Sequence, residues 1–159
     1  MSYVSELADI ETSSRGNVFK YGNDCVIDSF VKIKFAGGNG DISIGDSVYI
    51  NSGCVIYSGN GMEIGSDVLI AANYVLAATD HRFTDSTLPI RNQGFSNKGG
   101  IKVQNNVWIG ANSTILDGSV IGEGAVISAG SVVRGHVEPY CLYGGVPAVK
   151  IRNLKEIKK

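Results

Sequence analysis

The chain has 159 residues, a formal net charge of −1, 18% charged and 43% hydrophobic residues, 21 glycines and only 3 prolines. That length is one domain with enough apolar residues to bury a core, and the near-neutral balance excludes the basic field of a nucleic-acid binder. No apolar run is long enough for a membrane-spanning helix, and 3 cysteines without CxxC spacing point to a reduced, cytosolic compartment rather than a disulfide framework.

Residues 1–20 open the chain as a short segment. Its start, MSYVSELADI, has neither a basic n-region nor an apolar h-region and does not read as a secretory signal. From Tyr21 a six-residue period takes over, with hexads grouped in threes. Five triplets open at Tyr21, Ile44, Ile64, Val103 and Ile121. Their middle hexads open at Ile27, Ile50, Ile70, Ile109 and Ile127, and their third hexads at Ile33, Ile56, Leu76, Ile115 and Val133. Fourteen of these fifteen positions are Ile, Leu or Val, against about a quarter of the whole chain, so chance does not account for the register. Every slip follows a third hexad: at residues 36–42, at 59–63, and in a long loop over 80–100.

Three short strands per eighteen residues, with insertions at one corner, predict an all-β fold: a triangular parallel β-solenoid of about five coils over residues 21–140, then a C-terminal tail at 141–159. At about 4.8 Å per coil the prism is roughly 24 Å tall. Hexad-opening aliphatics point inward and their neighbours outward. Gly22, Gly45, Gly65 and Gly122 follow triplet-opening residues, at corners that need small residues or a positive φ. Cys25 and Cys54 fall on the small fifth hexad position and read as core fillers. His136 reads as a corner residue and Lys155–Lys159 as a solvated end. A β-sandwich with Gly-rich turns is the competing architecture, but it needs no six-residue register.

Val26, Tyr49, Leu69, Trp108 and Val126 precede the middle-face aliphatics and form an outward apolar ridge. Val55, Val75, Thr114 and Val132 form a second, milder one. Contiguous exposed apolar surface marks a partner interface, here a homo-oligomer packed side by side. Ordinary scattered exposure is the competing reading.

The [Ile/Val/Leu]-Gly-x-x-x-x pattern resembles the hexapeptide-repeat acyltransferases. Within that superfamily, residues 44–152 look like the galactoside/maltose O-acetyltransferase group. The shared strings are T-D-H at Thr79–His81, P-I-R-N-Q-G at Pro89–Gly94, N-N-V-W-I-G at Asn105–Gly110, S-A-G-S-V-V at Ser128–Val133 and G-V-P-A at Gly145–Ala148. The resemblance implies a left-handed parallel β-helix, against the usual right-handed crossover rule. It also implies a homotrimer with active sites between subunits, and transfer of an acetyl group from acetyl-CoA to a sugar hydroxyl, with no metal. A surface-polysaccharide sugar or its precursor lies within the group's range of acceptors.

A sugar hydroxyl is a poor nucleophile at neutral pH, so acyl transfer from a thioester calls for a base, and His is suited to that role. His81, at the start of the long loop, falls on the group's catalytic His. A solvated loop histidine is the reading from composition alone. Asp80 is adjacent, but neighbours in an extended chain point opposite ways, so direct pairing with His81 is not expected. Asp80 and Phe83 belong to the loop expected to bind the acceptor. Asn51 matches the group's acceptor-binding Asn by its spacing before Ile64, and reads otherwise as a turn residue. Trp108, the single Trp, lines the group's active-site groove or simply packs subunits. By resemblance the Ala111 N–H serves the oxyanion as a catalytic donor and contacts the cosubstrate, and Ala129 binds the pantetheine arm. Arg134, Lys150 and Arg152 supply charge for the CoA phosphates. Here the chain departs from the group: Pro147-Ala148-Val149 replaces the familiar Pro-Ala-Lys, and Arg134-Gly135-His136 the common Thr-Lys-Asp.

Two alternatives remain: an N-acetyltransferase acting on a nucleotide-linked amino sugar, and a non-catalytic solenoid scaffold. A zinc carbonic anhydrase on this fold needs three His ligands, and the chain has 2 His.

Overall fold

The computed structural model describes residues 1–155, almost entirely as short strands and turns. Three sheets wrap a single core, and successive strands of each coil pass from face one to face two to face three. Face one has six strands: Phe19–Tyr21, Ile42–Ile44, Met62–Ile64, Ile101–Val103, Val120–Ile121 and His136–Val137. Face two has eight: Tyr3–Val4, Val26–Ile27, Tyr49–Ile50, Leu69–Ile70, Trp108–Ile109, Val126–Ile127, Cys141–Gly145 and Ala148–Asn153. Face three has six: Asp9–Ile10, Lys32–Lys34, Val55–Tyr57, Val75–Ala77, Thr114–Leu116 and Val132–Val133. Pairing between coils is parallel and in hexad register. On face two, Ile27, Ile50, Ile70, Ile109 and Ile127 stack directly over one another.

The fourteen register aliphatics are all buried, at 6% exposure or less. Each such side chain taken out of water contributes about 1.5–3 kcal/mol. Tyr21, the one register position that is not aliphatic, is 42% exposed, on the end strand of face one among the described residues.

The solenoid is longer at both ends than the hexad count suggests. Tyr3–Val4 pairs with Val26–Ile27 and Asp9–Ile10 with Lys32–Lys34, so residues 1–20 contribute a partial coil below the five. Val4 and Ile10 are themselves one hexad apart, but two hexads are too short a run to stand out. At the other end Cys141–Gly145 continues face two in parallel, and only Ala148–Asn153 turns back antiparallel along the edge. Of the expected solvated end, residues 156–159 lie outside the described residues.

The corners divide two requirements that the sequence merges. Positive φ falls on the fourth residue of the hexad, at Asp24, Ser47, Asp67, Asn73, Asn106 and Asn112 among others. Asn and Asp tolerate that conformation. The glycines in second position, such as Gly65, answer to close approach instead, because a Cβ there would run into Asn105 of the coil above. That Asn105 accepts the Ser66 N–H at 2.9 Å, and Ser66 in turn accepts the Asp46 N–H at 3.0 Å. The third hexad residue thus ties coil to coil, and the glycine before it leaves room for the tie.

Candidate active site

The long insertion leaves the solenoid at the corner between faces three and one. Its two limbs form a short antiparallel ribbon, with Asp80 opposite Ser96 and His81 opposite Phe95. The His81 and Phe95 rings stack at 4.6 Å and 39°, and His81 is exposed. Asp80 takes the Lys98 ammonium at 2.7 Å, which holds its carboxyl below the usual carboxylate value. Further out, Gln93 staples the loop by donating to the Asp85 and Leu88 carbonyls at 2.7 and 2.9 Å. Phe83, Leu88 and Ile90 stand 67%, 49% and 56% exposed, an apolar tip with no cover among the described residues.

At its base the insertion is fixed by two residues that motif reasoning passed over. Asp117, 4% exposed, accepts the backbone N–H groups of Lys98 and Gly100, each at 2.9 Å. Asn60 donates to Asp117 at 2.8 Å and to the Ser96 carbonyl at 3.0 Å. Asn60 has one sequence signal, its place in the slip at 59–63, whereas Asp117 lies in an uninterrupted hexad and has none.

A second group of candidates occupies the next corner, between faces two and three. Asn51 lies there in the second full coil. Its Nδ2 donates to the Ile70 carbonyl at 3.0 Å. Ala111 and Ala129 lie on the same corner in the fourth and fifth coils. The Ala111 carbonyl accepts the Gly130 N–H at 2.8 Å. Among the described residues no acceptor takes the Ala111 or Ala129 N–H. A Cβ on neighbouring Gly130 would meet nothing within 4 Å. Beside this corner, Trp108 is 53% exposed on face two, flanked in the sheet by Leu69 and Val126.

The structure therefore separates the candidates. Asp80, His81 and Phe83 share one corner. Asn51, Trp108, Ala111 and Ala129 share the next corner and its adjoining face. One whole face lies between the groups, roughly 15–20 Å at about 3.3 Å per residue. Of the candidate phosphate ligands, Arg134 is exposed at the His81 corner in the fifth coil. Arg152 is exposed on the face-two edge strand opposite Leu142. Lys150, on the same edge strand, is engaged with Glu138 at 2.6 Å. Among the described residues no cluster of His, Cys, Asp and Glu has the makings of a metal site. No helix of the described residues is long and apolar enough to cross a membrane.

Residues 100–135 match the family described as bacterial transferase hexapeptide (six repeats). The chain is 35% identical over 119 residues to galactoside O-acetyltransferase of Escherichia coli, covering 75% of this chain and 57% of that protein. It is 30% identical over 123 residues to WbbJ of Escherichia coli, a protein named for O-acetyl transfer in lipopolysaccharide biosynthesis, covering 74% of this chain and 63% of that one. The chain thus spans less than two thirds of the length of either relative. Among solved structures, a mutant of AntD, an N-acyltransferase from Bacillus cereus in complex with dTDP-4-amino-4,6-dideoxyglucose and coenzyme A, superposes with a TM-score of 0.77. It shares 30% identity, with 94% of this chain and 79% of that chain covered. The shared architecture fixes the winding of the solenoid as left-handed. The six-residue register, the three stacked faces and these likenesses together make the chain a member of the hexapeptide-repeat acyltransferases.

Proposed function

We propose that the protein is an acetyl-CoA-dependent O-acetyltransferase acting on a sugar hydroxyl, working as a homotrimer with its sites between subunits. The observation that carries this is the division of the site. An exposed histidine on a clamped loop and a corner of small residues with unpaired amides lie a face apart on one chain. A second copy, packed on the apolar face two, brings the histidine of one subunit to the amide corner of the next.

Acetyl-CoA supplies an acetyl group activated as a thioester. The small side chains of Ala111, Ala129 and Gly130 leave the backbone open to its narrow pantetheine arm. His81 takes the proton from the sugar hydroxyl as its oxygen bonds to the acetyl carbon. The Ala111 N–H donates to the carbonyl oxygen while that oxygen carries charge. His81 then returns the proton to the sulfur as the carbon–sulfur bond breaks. The Asn51 Oδ1 accepts from an acceptor hydroxyl, the loop with Asp80 and Phe83 closes over the sugar, and Arg134 and Arg152 meet the CoA phosphates. A surface-polysaccharide sugar or its precursor is the favoured acceptor, in keeping with the name of the lipopolysaccharide relative. Three unpaired, buried cysteines suit a cytosolic setting.

A second reading, N-acyl transfer to a nucleotide-linked amino sugar, is favoured by the ligands of the AntD complex. Thiol release from acetyl-CoA, measured with matched hydroxyl and amine acceptors, separates the two. Under the O-transfer reading, His81→Ala loses about 10²–10⁴-fold in turnover. Near-normal turnover in that variant overturns it, and no thiol release with any acceptor would favour a scaffold.

A further inference from the structure

We infer that Asp117, acting through Asn60 and the returning limb of the insertion, is the positioning residue for His81. This rests on His81 being the base. The starting point is chemical. A carboxylate at 4% exposure must be matched by donors, and all three donors that Asp117 has serve the insertion. Two are the backbone N–H groups of Lys98 and Gly100, on the limb that returns to the solenoid. The third is the Asn60 amide, whose nitrogen also donates to Ser96.

From there each step toward the imidazole is a direct contact. Ser96 pairs with Asp80 in the ribbon, and Phe95 lies opposite His81 with its ring against the imidazole at 4.6 Å. Lys98, held by its backbone to Asp117, reaches back with its ammonium to Asp80, the residue before His81. The outgoing and returning limbs are thus tied to the same buried carboxylate.

The solenoid itself does not ask for an acid here. The residues that follow the face-three strands at this register are Phe35, Ser58, Ala78 and Asp117 in successive coils, with Gly135 two residues beyond Val133. Only the coil on which the insertion lands carries a carboxylate. A residue needed for the corner turn would recur from coil to coil, as the fourth-position Asn, Asp and Gly do.

The consequence is a division of labour. Loss of Asp117 misaims the imidazole without touching the Ala111 and Ala129 corner a face away, so turnover falls while acetyl-CoA affinity holds. The variants are Asp117→Asn, which sets an amide NH2 among N–H donors, and Asn60→Ala, which removes the link to Ser96 and leaves the carboxylate in place. The chain has 2 His, so proton NMR of the full-length protein gives one Hε1 signal for His81, beside the Phe95 ring, and one for His136 as internal reference. In both variants the His81 signal is expected to move toward its unstacked position while His136 stays. In acetyl transfer, kcat falls about 10–100-fold, on the scale of a misplaced catalytic group, and KM for acetyl-CoA stays within about twofold. An unmoved His81 signal with unchanged kcat in folded variants overturns the inference. So does a change in both histidines and in KM, which marks a general structural role. Should Asp117→Asn fail to fold, Asn60→Ala decides alone. Should His81→Ala retain near-normal turnover, the base assignment fails by itself, and the NMR arm still decides whether Asp117 sets the His81 ring.

Discussion

Single residues in this solenoid are judged by their place in the hexad. The fifth position packs into the prism near a corner and is mostly small or β-branched: Cys25, Val31, Cys54, Ser113, Ala125 and Ser131 are all buried there. Tyr74 breaks that pattern. It is fully buried, burial pushes its phenol well above the ordinary value, and its hydroxyl has no hydrogen-bond partner among the described residues. A buried polar group without a partner costs about 1–3 kcal/mol. Tyr74→Phe keeps the ring and removes that cost. It is expected to raise unfolding free energy by about 1 kcal/mol, read as a higher denaturant midpoint at unchanged slope. A lower midpoint would mean that the hydroxyl is satisfied in solution.

The insertion is the element on which the proposed function turns, and its parts differ in legibility. Its existence and starting point follow from the interrupted register, and His81 stands out because the loop leaves the prism there. The clamp does not stand out, because Asn60 and Asp117 are 57 residues apart and meet only through the stacking of coils. The outer tie between Lys98 and Asp80 is half exposed on both sides, 47% and 43%, so it is a weak, screened pair. The Lys98 ammonium lowers the Asp80 pKa in the folded chain. The contribution of the pair is therefore fully present above the unfolded value, about 3.9, and is lost as pH falls through the lower folded value. Carboxyl-carbon NMR of Asp80 should titrate below that reference, and Lys98→Ala should return the midpoint close to it. An unchanged midpoint in the variant would remove Lys98 as the cause. Through neutral and mildly acidic pH the tie holds, so loss of activity between pH 8 and 5 has to be sought in other groups.

For the whole molecule the decisive feature is an apolar face that none of the described residues covers. Tyr3, Tyr49, Leu69 and Trp108, at 57%, 38%, 54% and 53% exposure, occupy one outward column of face two together with Val26 and Val126. The partial coil from residues 1–20 extends that column by Tyr3, which the hexad count omits. A contiguous column of this kind fits a subunit interface. Leu69→Glu places a charge in its middle and leaves every proposed site residue in place. If face two is the contact of the proposed trimer, sedimentation should shift from trimer to monomer, and acetyl transfer should fall with it because each proposed site draws on two chains. A trimer that survives Leu69→Glu would move the interface to another face.

Periodicity alone determined the five coils, the three faces and the identity of the inward residues. The physical reason is locality: the turn chemistry and the alternation of side chains repeat every six residues, so each coil carries its own instructions. The motif strings added the loop histidine and the corner alanines. Only the tertiary structure decided which candidates share a corner. Insertions of unequal length break any fixed interval between stacked residues, so Asp117 can meet Asn60, Lys98 and Gly100 without a spacing that announces it. It also decided that the histidine and the unpaired amides stand a full face apart, because residues adjacent in a linear motif map fall on different edges of a triangular prism.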